Sequence, residues 1–137
     1  MILEIDPLGE EPIYKQLRDQ IILGIAQHQL KAGDLLPSVR MLADELGVNP
    51  MTVSKAYNLL KEEGYLITDR RNGTIVTQRS EFDTSAKKTY DHRLALLLAE
   101  GFLHQQSKET ILQDVETYLN TYSKGREESW IIYLLVS

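Results

Sequence analysis

The feature that most constrains this chain is a pair of short amphipathic segments separated by Gly47-Val48-Asn49. The first is predicted to begin at Ser38, a favoured N-cap residue, and to stop at Gly47, since glycine readily adopts the left-handed conformation that ends many helices. The second is predicted to begin with Asn49 as N-cap and Pro50 at the first helical position, where the missing N–H costs nothing. Its apolar stripe consists of Val53, Ala56, Tyr57 and Leu60. Two short helices joined in this way predict a helix-turn-helix.

The segments on either side of this motif predict a helix before it and a β-hairpin after it. Pro12 opens an amphipathic segment, with an apolar residue at every fourth position, that is expected to end near Gln29. Residues 65–68 and 74–77 have the composition of strands, and the segment between them contains Asn72-Gly73, a frequent hairpin turn. A hairpin that directly follows the second helix of a helix-turn-helix is a wing. The predicted fold class is therefore mostly α with a small β-hairpin.

The C-terminal part is predicted to be a two-helix dimerisation region. Residues 78–85 are polar and predict a linker, followed by a helix over about 86–106 and a second helix with Ser107 as N-cap. The predicted interface residues are Leu94, Leu98, Phe102, Leu112, Val115, Leu119 and Tyr122. Two helices cannot cover both apolar stripes by themselves, so a second copy of the chain is the simplest cover. The alternative is that they fold back on the winged part as one core.

Composition limits the functions that the chain can have. It has no cysteine, which excludes disulfides and thiolate metal sites, and no nucleophile–base pair, phosphate loop or metal-ligand spacing is evident. We therefore expect no enzyme activity, no cofactor and no metal. The first residues lack the basic and apolar regions of a secretory signal, so a cytoplasmic protein without a membrane segment is expected. The apolar tail 130–136 is too short to cross a bilayer, which needs about 20 residues. It could be a strand or helix packed on the dimer, or a segment foreign to the protein.

The net charge of −5 does not by itself exclude a DNA-binding protein. Residues 1–79 carry nine Lys and Arg against eleven Asp and Glu, a formal charge of −2. Binding of DNA depends on where the cations lie rather than on their sum. Several cations of this half fall on the elements that are predicted to face DNA.

Several residues, taken in order and spacing, resemble the GntR family of regulators and in particular its short YtrA-like subfamily. The resemblance rests on Pro12-Ile13-Tyr14, Gly33-Asp34-Leu35-Leu36-Pro37-Ser38-Val39-Arg40, Asn49-Pro50-Met51-Thr52-Val53, Lys55-Ala56-Tyr57, Glu63-Gly64 and Gly73-Thr74-Ile75-Val76. It covers roughly residues 8–78. It implies a winged helix-turn-helix over 1–78, a helical dimerisation region over 79–137, and a regulator, expected to be a repressor, that binds a palindromic operator as a homodimer. Whether a small-molecule effector binds is left open.

The resemblance also implies which residues contact DNA. The set is Ser38, Arg40, Asn49, Met51, Thr52, Lys55, Arg70, Arg71 and Gly73. Arg40 is the expected base-reading residue, because its guanidinium fork matches the O6/N7 edge of guanine. The family's wing usually reads Gly-x-Gly, and Arg71 in place of the first glycine predicts a stiffer and more cationic tip. Alternatives remain at this point. Arg40 could simply pair with Asp44 one turn along, Lys55 could be a solvated lysine without a partner, and Arg70 and Arg71 could form a plain solvated turn. The winged helix could also bind a protein instead of DNA.

Overall fold

The computed structural model describes residues 3–124, which form five helices and one antiparallel hairpin. The helices are α1 (Ile13–Ala26), α2 (Val39–Leu46), α3 (Pro50–Glu62), α4 (Thr84–Leu103) and α5 (Lys108–Lys124), and the strands are β1 (Leu66–Asp69) and β2 (Gly73–Val76). The predicted fold class is confirmed. The described chain divides into two compact units, residues 3–79 and 80–124. The apolar tail 130–136 lies outside the described residues.

Capping contacts set the ends of the helix-turn-helix where the sequence predicts them. The Ser38 hydroxyl accepts a hydrogen bond from the Met41 amide at 3.2 Å, and Gly47 ends α2 with a φ of 67°. The Asn49 side-chain oxygen accepts from the Met51 amide at 2.8 Å, directly before Pro50 at the first position of α3. These side chains satisfy amide groups that the first turn of a helix leaves without partners, so both helix starts are defined locally.

The core of the first unit lies between α1, α2, α3 and the hairpin. Its buried members are Leu17, Ile21, Leu36, Leu42, Ala43, Val53, Ala56, Tyr57, Leu60, Leu66 and Val76. The Tyr57 hydroxyl donates to the Pro37 carbonyl at 2.8 Å, which ties α3 to the segment that leads into α2. Burial, with a smaller contribution from the charge of Glu45, raises the pKa of Tyr57 to about 12, so this donor keeps its hydrogen at neutral pH.

An ion pair joins α1 to the end of α3. The Arg18 guanidinium donates to Glu63 through Nε at 3.0 Å and through Nη2 at 2.6 Å, and the Arg18 side chain is only 11% exposed. This two-point contact raises the pKa of Arg18 above its ordinary value, against the opposing effect of burial. The pair holds α1, and therefore the residues of its first turn, in a defined position beside α3.

The wing differs from the predicted hairpin in its turn. β1 and β2 pair from Leu66 opposite Val76 to Asp69 opposite Gly73, which leaves a three-residue loop, Arg70-Arg71-Asn72. The predicted hairpin is confirmed, but its connection is three residues rather than the expected five, and of Asn72-Gly73 only Gly73 has a positive φ, of 104°. The Asp69 carboxylate organises the loop by accepting from the Arg71 amide at 2.9 Å and the Asn72 side-chain amide at 3.1 Å.

A third extended segment, absent from the sequence prediction, pairs with β2. Leu35 forms an antiparallel bridge with Ile75, and the Leu36 amide donates to the Thr74 carbonyl at 2.9 Å. The same segment begins where the Gly33 amide donates to the Val76 carbonyl at 2.8 Å. Because Pro37 and Ser38 follow immediately, this pairing connects the wing to the start of α2.

The second unit consists of α4 and α5 with a short turn between them. α4 begins at Thr84, two residues before the predicted start, because the Asp83 carboxylate caps it by accepting from the Ala86 amide at 2.7 Å. It ends at Leu103 rather than near 106, because Gln105 has a left-handed φ of 62°. α5 starts after Ser107, whose hydroxyl accepts from the Thr110 amide at 3.1 Å, as the sequence predicts.

In the first unit, α1 also ends earlier than predicted, at Ala26 rather than near Gln29. His28, two residues later, has a left-handed φ of 65°.

Candidate nucleic-acid interface

The outer face of α3 presents polar and cationic side chains to solvent. Val53 and Leu60 point into the core, whereas Met51 is 77% exposed and Lys55 and Asn58 are also exposed. Thr52 is half-buried in the first turn. A helix with one buried face and one exposed polar face can enter a DNA major groove, which is about 12 Å wide. The structure therefore leaves the predicted residues of this helix accessible to a ligand.

Arg40 lies in the first turn of α2 with its side chain in solvent. Within residues 3–124 it forms no ion pair with any carboxylate, so the alternative pairing with Asp44 is absent. Its charge is thus available to an anionic or hydrogen-bonding partner. The Ser38 hydroxyl, two residues earlier, accepts from the Met41 amide and can still donate its own hydrogen.

Asn49 has a structural role that the sequence also predicts. Its side-chain oxygen is committed to the Met51 amide, and its carbonyl accepts from the Thr52 amide at 2.9 Å. Its side-chain NH₂ group is the part left to meet a ligand. Helix N-termini such as these carry positive potential that favours phosphate.

Lys55 has a partner that the sequence reasoning missed. Its ammonium lies 4.0 Å from the centroid of the Tyr14 ring, on the first turn of α1. No local pattern could reveal this contact, because it depends on how α1 packs across α3. The pair lies in an open groove of about 650 Å³ that also contains Met51, Thr52 and Asn58.

The wing carries two exposed arginines at its tip. Arg70 and Arg71 form no ion pair among the residues that the structure describes. Gly73 closes the loop in a conformation that residues with a side chain rarely adopt. The tip is thus both ordered by Asp69 and cationic, which suits contact with a phosphate backbone.

These elements together define a winged helix-turn-helix DNA-binding protein. Residues 11–76 match the family described as "Bacterial regulatory proteins, gntR family". YhcF of Bacillus subtilis, described as an uncharacterized HTH-type transcriptional regulator, is 33% identical over 115 residues, which cover 80% of this chain and 92% of that protein. The chain therefore belongs to the GntR family of bacterial transcriptional regulators.

Further relatives place it among the YtrA-like members. The HTH-type transcriptional repressor YtrA of Bacillus subtilis is 41% identical over 80 residues, which cover 58% of this chain and 62% of that protein. The structure of YtrA from Sulfolobus acidocaldarius, a GntR-family transcription factor, matches 75% of this chain and 99% of its own, with 38% identity and a TM-score of 0.62. A structure described as a transcriptional antiterminator from Listeria monocytogenes covers 86% of this chain and 90% of its own, with 28% identity and a TM-score of 0.73. The chain is thus a YtrA-like GntR regulator, and its family favours DNA binding over a protein-interaction module.

Membrane-spanning helices and metal clusters are both absent from the described part of the chain. Between residues 3 and 124, no helix is both long and apolar enough to cross a membrane. Over the same residues, no cluster of three or more His, Cys, Asp and Glu side chains could hold a metal ion. The proteins that resemble this chain are described as transcriptional regulators and not as enzymes.

Proposed function

We propose that this regulator binds a palindromic operator as a homodimer and represses transcription from it. The observation that carries the proposal is Arg40, an exposed arginine without a carboxylate partner among residues 3–124, at the start of the helix-turn-helix. A guanidinium that is neither buried nor neutralised suits recognition of guanine in the major groove. Repression is supported by the description of the similar YtrA of Bacillus subtilis as a repressor. The proposal places the protein in the cytoplasm, because that is where a bacterial regulator of this family meets DNA.

Each exposed element has a separate task in this proposal. α3 enters the major groove, where Met51 offers an apolar contact to a thymine methyl group and Lys55 a cation to phosphate. Ser38, Asn49 and Thr52 lie at two helix N-termini and contact phosphate. Arg70 and Arg71 neutralise backbone phosphates beside the groove, and Gly73 lets the wing approach the minor groove. Arg40 and α3 therefore determine which operator sequences are preferred. The wing raises the affinity for DNA of any sequence.

The second copy is inferred from the exposed apolar surface of α4. Leu94, Leu98 and Phe102 follow one side of this helix at 40%, 39% and 75% exposure. Leu96 and Leu103 lie on the opposite side, at 54% and 75% exposure, so the apolar surface is wider than the single predicted stripe. Between Leu94 and Leu103 the helix is therefore apolar on two opposite sides, and such a segment is normally covered on both. No residue of α4 is buried within the single chain.

α5 supplies only part of the cover that α4 needs. An added Cβ at Gly101 would lie 3.6 Å from the Ile111 Cδ1 atom, so the two helices contact near their turn. Leu112, Val115 and Leu119 of α5 remain 56%, 42% and 57% exposed, whereas Tyr122 is half-buried. We infer that α4 and α5 of two chains form a four-helix assembly with α4 near its centre. Its two-fold symmetry implies two half-sites of opposite orientation, one or more helical turns apart.

Replacing Arg40 by alanine tests the base-reading role. We expect affinity for a duplex selected from a random pool to fall by about 1–3 kcal/mol, with relaxed preference at one position of each half-site. Arg40→Lys should not restore that preference, because lysine lacks the two-point fork. Asp44→Ala is the control on the same helix: it removes the alternative partner of Arg40 and should retain the base preference of the parent. An unchanged affinity and unchanged base preference in Arg40→Ala would contradict the assignment.

The wing is tested by the salt dependence of binding. The double variant Arg70→Ala/Arg71→Ala should weaken binding to all sequences alike, and the slope of log affinity against log salt should fall by up to about 1.8, roughly 0.9 for each phosphate that is no longer neutralised. Lys87→Ala/Lys88→Ala removes the same charge from exposed positions of α4 and serves as control. The wing does not touch DNA if both double variants retain the parental slope.

A further inference from the structure

We propose that Tyr14 is a positioning residue for DNA binding: its ring holds the Lys55 ammonium on the outer face of α3 before DNA arrives. The inference rests on the proposed function, because it assigns Lys55 a phosphate contact. It adds a residue from α1, a helix outside both the helix-turn-helix and the wing.

The contact joins a side chain with a fixed position to a flexible one. Tyr14 lies in the first turn of α1, is half-buried and packs against the hydrophobic core. α1 is itself anchored by the buried Leu17 and Ile21. Lys55 is exposed, and its four-carbon chain has many rotamers in solution. The ring at 4.0 Å therefore restricts the lysine far more than the lysine restricts the ring.

The type of contact decides what Lys55 can still do. The ammonium forms no salt bridge with a carboxylate of residues 3–124, although Glu62 lines the same groove. A carboxylate would neutralise the cation, whereas the face of an aromatic ring attracts it and leaves its full charge. Lys55 is therefore both held in place and available to a phosphate.

The location of the pair points to the same ligand as the rest of the interface. Tyr14 and Lys55 share their groove with Asn49, Met51 and Thr52, three residues that are predicted to contact DNA. A cation that is already ordered loses less side-chain entropy when it binds, which raises affinity. Because the phosphate contact reads no base, the gain applies equally to all sequences.

The test is a double-mutant cycle with the full chain and a duplex selected from a random pool by the wild-type protein. Tyr14→Leu should weaken binding by about two- to tenfold, the cost of ordering one long side chain on binding. It should leave the salt slope unchanged, since Lys55 still reaches its phosphate. Lys55→Ala should lower the slope by about 0.9. In the Lys55→Ala background, Tyr14→Leu should have no further effect. As a single variant that keeps the aromatic ring, Tyr14→Phe should bind like wild type.

Two controls separate positioning from a merely structural role. Tyr65 is also half-buried and packed against the core, and it has no lysine or arginine over its ring within the described chain, so Tyr65→Leu should show no coupling with Lys55→Ala. Urea unfolding of each variant checks that the binding assays contain folded protein. A loss on Tyr14→Leu that persists in the Lys55→Ala background would overturn the inference.

Other outcomes identify which idea fails. Tighter binding by Tyr14→Leu would mean that the ring withholds the lysine from DNA, and weaker binding by Tyr14→Phe would mean that the hydroxyl contacts DNA directly. Either result would overturn the positioning role while leaving the proposed function intact if Arg40→Ala still weakens binding. Failure of the wild-type protein to select any duplex would instead contradict the proposed function.

Discussion

The double variant Leu98→Glu/Leu119→Glu is expected to be monomeric, or to aggregate, and to bind the selected operator at least about a hundredfold more weakly than the parent. The two side chains belong to the proposed interface and are 39% and 57% exposed in the single chain. Burial of an unpaired carboxylate is costly, so the four-helix assembly should not form with two of them in each chain. Without it, the second DNA contact is no longer intramolecular, and the gain from linkage disappears.

Sedimentation velocity and a binding titration measure both effects on the same samples. Leu8→Glu is the matched control, because Leu8 is 95% exposed in the first unit and the substitution adds the same kind of charge. That variant should sediment and bind like the parent. A parent that is monomeric and binds one non-palindromic site tightly would contradict the dimer and the palindrome together. The base-reading role of Arg40 would then still be decided by the binding of Arg40→Ala.

The second large effect is expected on stability, from Leu60→Ala. Leu60 lies on the inner face of α3, with no exposed surface, in the core that the three helices and the hairpin share. Removal of three buried carbons loses transfer free energy and leaves a cavity, so the free energy of unfolding should fall by about 2–5 kcal/mol. Urea unfolding followed by circular dichroism, at one fixed protein concentration, measures the change.

A comparison on the same helix keeps this test specific. Met51 is 77% exposed, so Met51→Ala should change the free energy of unfolding by less than about 0.5 kcal/mol while it alters DNA binding. Leu60→Ala should show the reverse: it should lose stability, whereas its folded fraction, assayed without urea, should bind operator with near-parental affinity. Equal losses of stability in the two variants would contradict the division of α3 into a core face and a DNA face.

The sequence by itself determined the helix-turn-helix almost to the residue. Ser38, Gly47 and Asn49 act on backbone groups only a few positions away, so their effect can be read without knowing the rest of the fold. The inward stripe of α3 is equally local, because its period follows from helical geometry. The resemblance to the GntR family is carried by the same residues, and it also indicates DNA as the class of ligand.

Tertiary structure alone decided the contacts between distant segments. The pairing of Leu35 with Ile75 and the ring of Tyr14 against Lys55 both join residues that have no local signal for one another. The length of the wing loop also differs from the sequence prediction, because strand register depends on the pairing partner: Asp69 pairs with Gly73, which leaves three residues instead of the expected five. The exposure of α4 was decided in the same way. Burial depends on neighbours in space and not on spacing along the chain, so the packing of α5 determines which apolar faces of α4 stay exposed.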